Sequence, residues 1–250
     1  MNDLYADTLK KLIGYFESLA NHVEKPKLAR LDDGFVYRFE NPSIEAAILQ
    51  KLVRVLTSIQ AAELLNQQGF IQEQAAQQRM IDEFSEDVTF LAFAILFDDF
   101  TDRHREYLDA FFKEEFDQGS TAMDSSQKRT MIPRRKIRAY ISKHEGNPNI
   151  VAEASRTFTN VLSGYLHGAS PQIMELYYGN PPKFHLQGAK RSPYYKDHTE
   201  DLLNQYYRGI MAFTFAAKSF GNDELCSEIN DYRKEFAKRW GKLEYLSPNV

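Results

Sequence analysis

The chain has 250 residues, 43% of them hydrophobic and 26% charged, with a net charge of −4 and a single cysteine, Cys226. That composition suits a folded chain and excludes a disordered one, and one cysteine excludes both an internal disulfide and a zinc-finger cage. Net acidity argues against a dedicated nucleic-acid binder, and the longest apolar run, Val88 to Phe97, is half the ~20 residues that a spanning helix needs.

At the N-terminus, MNDLYADTLKKL has no basic patch ahead of an apolar run. A secretory leader is therefore not expected and a cytoplasmic location is. Leu4, Leu9, Leu12, Ile13, Phe16 and Leu19 recur at helical spacing and predict an amphipathic first helix. Pro26 and Gly34 then break the pattern, with a short extended piece expected around Phe35, Val36 and Tyr37. Asn41-Pro42-Ser43 carries cap-forming side chains and predicts the start of a second helix, running to about Gln68 with Gly69 as its stop. The third helix is expected over Ile71 to Phe97. Its first half is polar and Gln-rich; its second half is apolar nearly all round, the mark of a central core element.

A fourth helix is expected from Asp102 to Phe116, followed by a loop from Gly119 to Thr130, where a subdivision of the domain would fall. Pro133 to His144 predicts another helix, broken by Gly146-Asn147-Pro148. A further helix ends at Gly168-Ala169-Ser170-Pro171, and a short one holds Ile173, Met174, Leu176 and Tyr177. Asn180 to Pro193 reads as a loop, and Tyr195 to Phe220 and Asp223 to Trp240 as the two last helices. Strand alternation, internal repeats and sustained heptads are not found. The expectation is an all-α fold, a multi-helix bundle of about eight or nine helices in one domain over residues 1–250.

The most informative local pattern lies in SRTFTNVLSGYLHGASP. At about 100° per residue, Asn160, Ser163 and His167 return to within about 40° of Arg156, beside Phe158, Val161, Leu162, Tyr165 and Leu166. A buried or half-buried polar line must be satisfied by partners or by a ligand. One reading is a hydrogen-bonded packing network. The other is a site for metal-independent RNA cleavage, in which His167 moves the proton, Arg156 contacts phosphate, and Asn160 and Ser163 orient the scissile group.

Charge is concentrated just upstream. Ser125 to His144 holds seven basic residues and no acid, so the remainder of the chain has 24 basic against 35 acidic residues. Lys128, Arg129, Arg134, Arg135, Lys136 and Arg138 are the candidates for docking a nucleic-acid backbone. The alternative is a solvated face paired with acids such as Glu114, Glu115 and Asp117.

Asp98-Asp99-Phe100-Thr101-Asp102 is a DDxxD motif and resembles the aspartate-rich motif of isoprenoid and terpene synthases. The resemblance implies Mg²⁺ held by Asp98, Asp99 and Asp102 against a diphosphate. Asn222-Asp223 begins that family's second metal motif, but Cys226 and Asn230 stand where Ser or Thr and Glu belong. The competing reading is a helix junction in which Asp99, Thr101 or Asp102 caps the fourth helix. Di-metal bundles need Glu three residues before His. Those positions hold Leu19, Thr101, Ile141, Gly164, Pro182 and Tyr195, so the di-metal reading fails; outside the DDxxD alternative, no resident metal or cofactor is expected. The pairs Tyr177-Tyr178, Tyr194-Tyr195 and Tyr206-Tyr207 read as core residues with a hydroxyl reaching water, or as base-stacking platforms. Cys226 reads as an inert buried thiol.

The segment FTNVLSGYLHGASPQIMELY, preceded by MIPRRKIRAYISK, resembles uncharacterised bacterial helical proteins of the HEPN superfamily, mainly over residues 131–178. The resemblance implies an all-helical homodimer of a defence or toxin–antitoxin system, binding RNA or a partner protein or acting as a metal-independent endoribonuclease. The superfamily's Arg-then-His spacing is matched by Arg138 with His144 and by Arg191 with His198. On the helix that carries the likeness, Arg156 stands ten intervening residues before His167 and departs from that spacing.

Overall fold

The computed structural model describes residues 2–31, 34–117, 119–121, 123–127, 131–144, 157 and 160–243. It is an all-α multi-helix bundle with two small two-stranded sheets. The order is α1 (Asn2–Ala20), β1 (Lys27–Leu31), β2 (Gly34–Arg38), α2 (Ile44–Gln68), α3 (Ile71–Leu96), α4 (Asp102–Phe112) and α5 (Arg134–Lys143). Residues 160–166 form α6. Then come α7 (Ser170–Ile173), a 3₁₀ turn (Met174–Leu176), β3 (Tyr177–Tyr178), β4 (Lys183–Phe184), α8 (Tyr195–Ser219) and α9 (Asp223–Trp240).

Local chemistry sets the boundaries. The Ser43 side chain accepts the Ala46 amide at the start of α2, and Gly69 ends that helix in the left-handed region at φ 82°. Only two residues separate α2 from α3, which makes them an antiparallel hairpin. Asn222 caps α9 by accepting the Leu225 amide, and Gly241 closes it. The fourth helix stops at Phe112, short of the expected Phe116, because the chain turns extended at Lys113 and presents Glu114 to Arg38 of β2 at 2.9 Å. The short extended piece is the second strand of a hairpin, with Leu28 opposite Tyr37 and Arg30 opposite Phe35. The β3–β4 pair falls where a short helix and a loop were expected. Its strands have two residues each, too few to show an alternation.

The core lies where α2, α3 and α8 pack on one another, with α1 on α2 and α8, α9 on α8, and α5 on α3. Ile48, Leu52, Ile59, Leu91, Phe90, Tyr206, Phe213 and Phe236 are fully enclosed there. The apolar second half of α3 is central, as its composition predicted: Val88 and Phe90 to Ala94 are buried. Gly209 lets α8 approach α2 closely, since a Cβ at that position would meet Ile59 Cδ1 at 2.9 Å. Among the described residues no helix is long and apolar enough to cross a membrane.

Candidate functional site

Among the described residues, helix α6 is covered along one side. Leu162 is buried and Tyr165 half-buried, whereas Val161 (51%) and Leu166 (48%) are exposed. The polar line runs opposite Leu162 and Tyr165: Asn160 and His167 are exposed and Ser163 is half-buried. The expectation of a buried or half-buried stripe is thus corrected for its ends. The apolar residues around it do not enclose it, because the helix packs at the rim of the bundle. Arg156, the fourth member, lies outside the described residues.

The inner edge of α6 is anchored by a polar network. The Tyr165 hydroxyl donates to Glu175 Oε1 at 2.7 Å, and Glu175 Oε2 accepts from His198 Nε2 at 3.0 Å and Gln72 Nε2 at 3.2 Å. Burial, and then the Glu175 carboxylate, push the Tyr165 phenol well above its usual pKa. Since a carboxylate only accepts, Nε2 of His198 carries the proton, and its buried Nδ1 finds no hydrogen-bond partner among the described residues. The network continues inward: Gln74 Nε2 donates to the His198 carbonyl at 2.6 Å, Asn66 Nδ2 to Gln74 Oε1 at 2.8 Å, and the Tyr195 hydroxyl to the Asn66 carbonyl at 3.0 Å. Close backbone contact clamps the loop before α8 onto the end of α2. Ala189 N–H donates to the Gly69 carbonyl at 2.7 Å, and a Cβ on Gly188 would strike the Gln68 carbonyl.

Two further buried polar residues of α3 extend this line. Asp82 pairs with Arg208 at 3.2 Å, and burial raises its pKa to about 6. Gln78 is buried one turn earlier. Sequence reading saw only a Gln-rich half-helix. The signal that could have found the network is a heptad-free line Gln74, Gln78, Asp82 at fourfold spacing, which places three polar side chains on one face.

The basic segment is split. Arg134 reaches inward, donating to Asp87 Oδ2 at 3.3 Å and to the Glu83 carbonyl at 3.0 Å, while Arg138 donates to Glu86 at 2.8 Å. Lys143 pairs with Asp99 at 2.8 Å. The acids that meet this segment therefore come from α3 and its C-terminal end. Of the acids named as alternatives, Glu114 pairs with Arg38, and Asp117 accepts from Ser126. Arg135 and Lys136 are exposed; Lys128 and Arg129 lie outside the described residues.

Neither Arg-then-His spacing builds a joint site. Arg138 is engaged with Glu86, and His144, about 120° away around the helix axis, donates to Asp99 at 3.0 Å and stacks on Phe97. Arg191 is exposed whereas His198 is buried.

At the DDxxD junction the carboxylates diverge. Asp98 sits at φ 49° and is exposed, Asp102 is exposed and pairs with Arg105, and Asp99 turns toward the end of α5, where Lys143 and then His144 hold its carboxyl below the usual range. Among the described residues no group of three His, Cys, Asp or Glu side chains is placed to hold a metal ion. The cap itself is made by Thr101 and His104. The Thr101 amide donates to His104 Nδ1 at 3.0 Å, and Nε2 faces the Phe90 carbonyl at 3.3 Å. Burial lowers the His104 pKa to about 4, so the ring is neutral.

The tyrosine pairs divide. Tyr206 and Tyr207 are buried, with hydroxyls bonded to Glu63 and Arg233, but Tyr194 is exposed and Tyr178 stacks on His185. Cys226 is half-buried rather than buried, and burial raises its thiol pKa. No protein-family model, curated protein or solved structure matches the chain.

Proposed function

We propose that this chain is a HEPN-like helical binding protein, of the kind associated with bacterial defence and toxin–antitoxin systems, acting as a homodimer through the outer face of α6. The observation that carries this reading is the outward line of Asn160, Ser163 and His167, flanked by exposed Val161 and Leu166. Asn, Ser and His side chains each donate and accept hydrogen bonds, so the line is complementary to itself. A two-fold interface requires that property. With antiparallel packing about an axis near Ser163, Asn160 of one copy meets His167 of the other, while Val161 and Leu166 supply apolar contact on either side.

RNA binding has less support. Arg134 and Arg138, two of the residues expected to dock phosphates, are engaged by acids of α3, and the net charge is −4. Sedimentation across a range of concentrations tests the reading. The expected result is a dimer that Leu166→Glu converts to a folded monomer. A wild-type monomer at every concentration overturns it. RNA incubated with the protein in EDTA is expected to stay intact; cleavage that is lost in His167→Ala would replace the binding reading with a nuclease at the same face.

A further inference from the structure

A second feature lies away from α6, where the N-terminal turn of α5 and the preceding residues cross α2, α3 and α4. A cavity of about 210 Å³ opens there. Its walls are largely apolar, with Phe111, Ala110, Ile132 and Ile137 among them, and its charged groups among the described residues are Lys51, Asp87 and Arg134, beside the phenol of Tyr107.

Of these three charges Asp87 is buried, and Lys51 and Arg134 are partly so. The Asp87 side chain is 1% exposed and lies 2.7 Å from Lys51 Nζ and within hydrogen-bonding reach of both terminal nitrogens of Arg134. Glu83, the nearest other acid, is shared with Arg79 at 3.2 Å and does not line the cavity. Among the described residues the cavity wall therefore carries two cations against one carboxylate, with the Glu83 carboxylate 3.6 Å from Arg134 Nε behind it. Charged groups held in an apolar wall are strongly favoured by a compensating partner.

The Lys51 ammonium is the group left to receive one. Arg134 has its fork turned onto Asp87 and the Glu83 carbonyl. Lys51 has three N–H donors, with one strong acceptor in Asp87. Its other neighbours are the rings of Phe111, Phe84 and Tyr107, whose centroids lie 5.0, 5.4 and 5.6 Å from Nζ. Ring faces attract the ammonium but offer weaker acceptors than a carboxylate, so they leave donors of Lys51 for an anion. The size is also informative, because an apolar cavity of about 150 Å³ holds benzene. The larger space here admits a ring with one small substituent.

We infer that this cavity binds a small aromatic monocarboxylate, its carboxylate accepting from Lys51 and its ring lying against Phe111, Ile132 and Ile137. The ligand's charge then balances the surplus cation, and a neutral molecule of the same shape lacks that contribution. The site is independent of the α6 face, so its failure and the failure of the dimer reading are separate results.

Calorimetric titration of the full chain with benzoate and phenylacetate, beside benzyl alcohol and benzylamine, tests the inference. Saturable binding of a carboxylate is expected, at least about tenfold tighter than benzyl alcohol, the difference that one charge-assisted hydrogen bond supplies. Ala110→Leu fills the cavity and leaves its charges in place, and is expected to weaken carboxylate binding at least tenfold. Lys51→Met is expected to remove the preference for the acid over the alcohol. Absence of saturable binding by either acid, equal binding of acid and alcohol, or binding unchanged in a folded Ala110→Leu variant would each overturn the inference.

Discussion

Helices α3 and α6 each carry a line of polar side chains, and the two lines meet opposite environments. On α6 the line stands between Val161 and Leu166, yet Asn160 and His167 face water. On α3 the line Gln74, Gln78, Asp82 sits in a Gln-rich, mostly polar stretch, yet all three side chains are buried against neighbouring helices. A helix's own pattern reports which residues share a face. Whether that face is covered depends on how many neighbours the helix has. Helix α3 is packed by α2, α5 and α8, whereas α6 lies at the rim.

Substitutions sharpen this contrast, beginning with the buried carboxylates of α3. Asp87→Ala leaves Lys51 and Arg134 without their shared carboxylate and is expected to destabilise the fold by about 3–5 kcal/mol, the loss typical of breaking a buried charge pair; denaturant unfolding measures it. A small change would mean that water reaches both cations.

Asp82 gives a pH-dependent effect. Its pKa is raised from 3.8 to about 6 by burial, so the folded chain holds a proton there that the unfolded chain releases. Its contribution to stability is full below 3.8 and is lost as pH rises through about 6, at a slope of about 1.4 kcal/mol per pH unit. Unfolding free energies measured from pH 4 to 7 are expected to show that fall in the wild type, and Asp82→Asn to lack it. Parallel curves for the two proteins would show that Asp82 is ionised and hydrated in the fold.

Effects on the α6 side are smaller. Tyr165→Phe removes the donor to Glu175 Oε1 and is expected to lower stability by about 1 kcal/mol. His167→Ala is expected to change stability by no more than about 0.5 kcal/mol, as for exposed substitutions generally, while weakening self-association. A large loss of stability in His167→Ala would return the stripe to the role of a packing network.

Much of the fold is legible in the residues themselves, because helix boundaries are set by local chemistry. Ser43 and Gly69 bracket α2, Asn222 and Gly241 bracket α9, and the apolar run of α3 marks the centre of the core. The partners of the charged residues are not legible. Arg134 meets Asp87 across 47 residues and Arg138 meets Glu86 across 52, and nothing local selects those acids over Glu114 or Asp117. The Tyr165, Glu175 and His198 contacts join three elements whose juxtaposition is a property of packing. The capping role of His104 also depends on burial, since an imidazole accepts from the Thr101 amide only when neutral.

The opposed environments of the two polar lines can be tested directly by thiol labelling in a Cys226→Ser background, with single cysteines placed by Asn160→Cys and Gln78→Cys. At low protein concentration Asn160→Cys is expected to label as fast as an unstructured peptide, and Gln78→Cys to be protected until the whole fold opens. An Asn160→Cys thiol protected at every concentration, or a Gln78→Cys thiol that labels freely in the folded protein, would contradict the account.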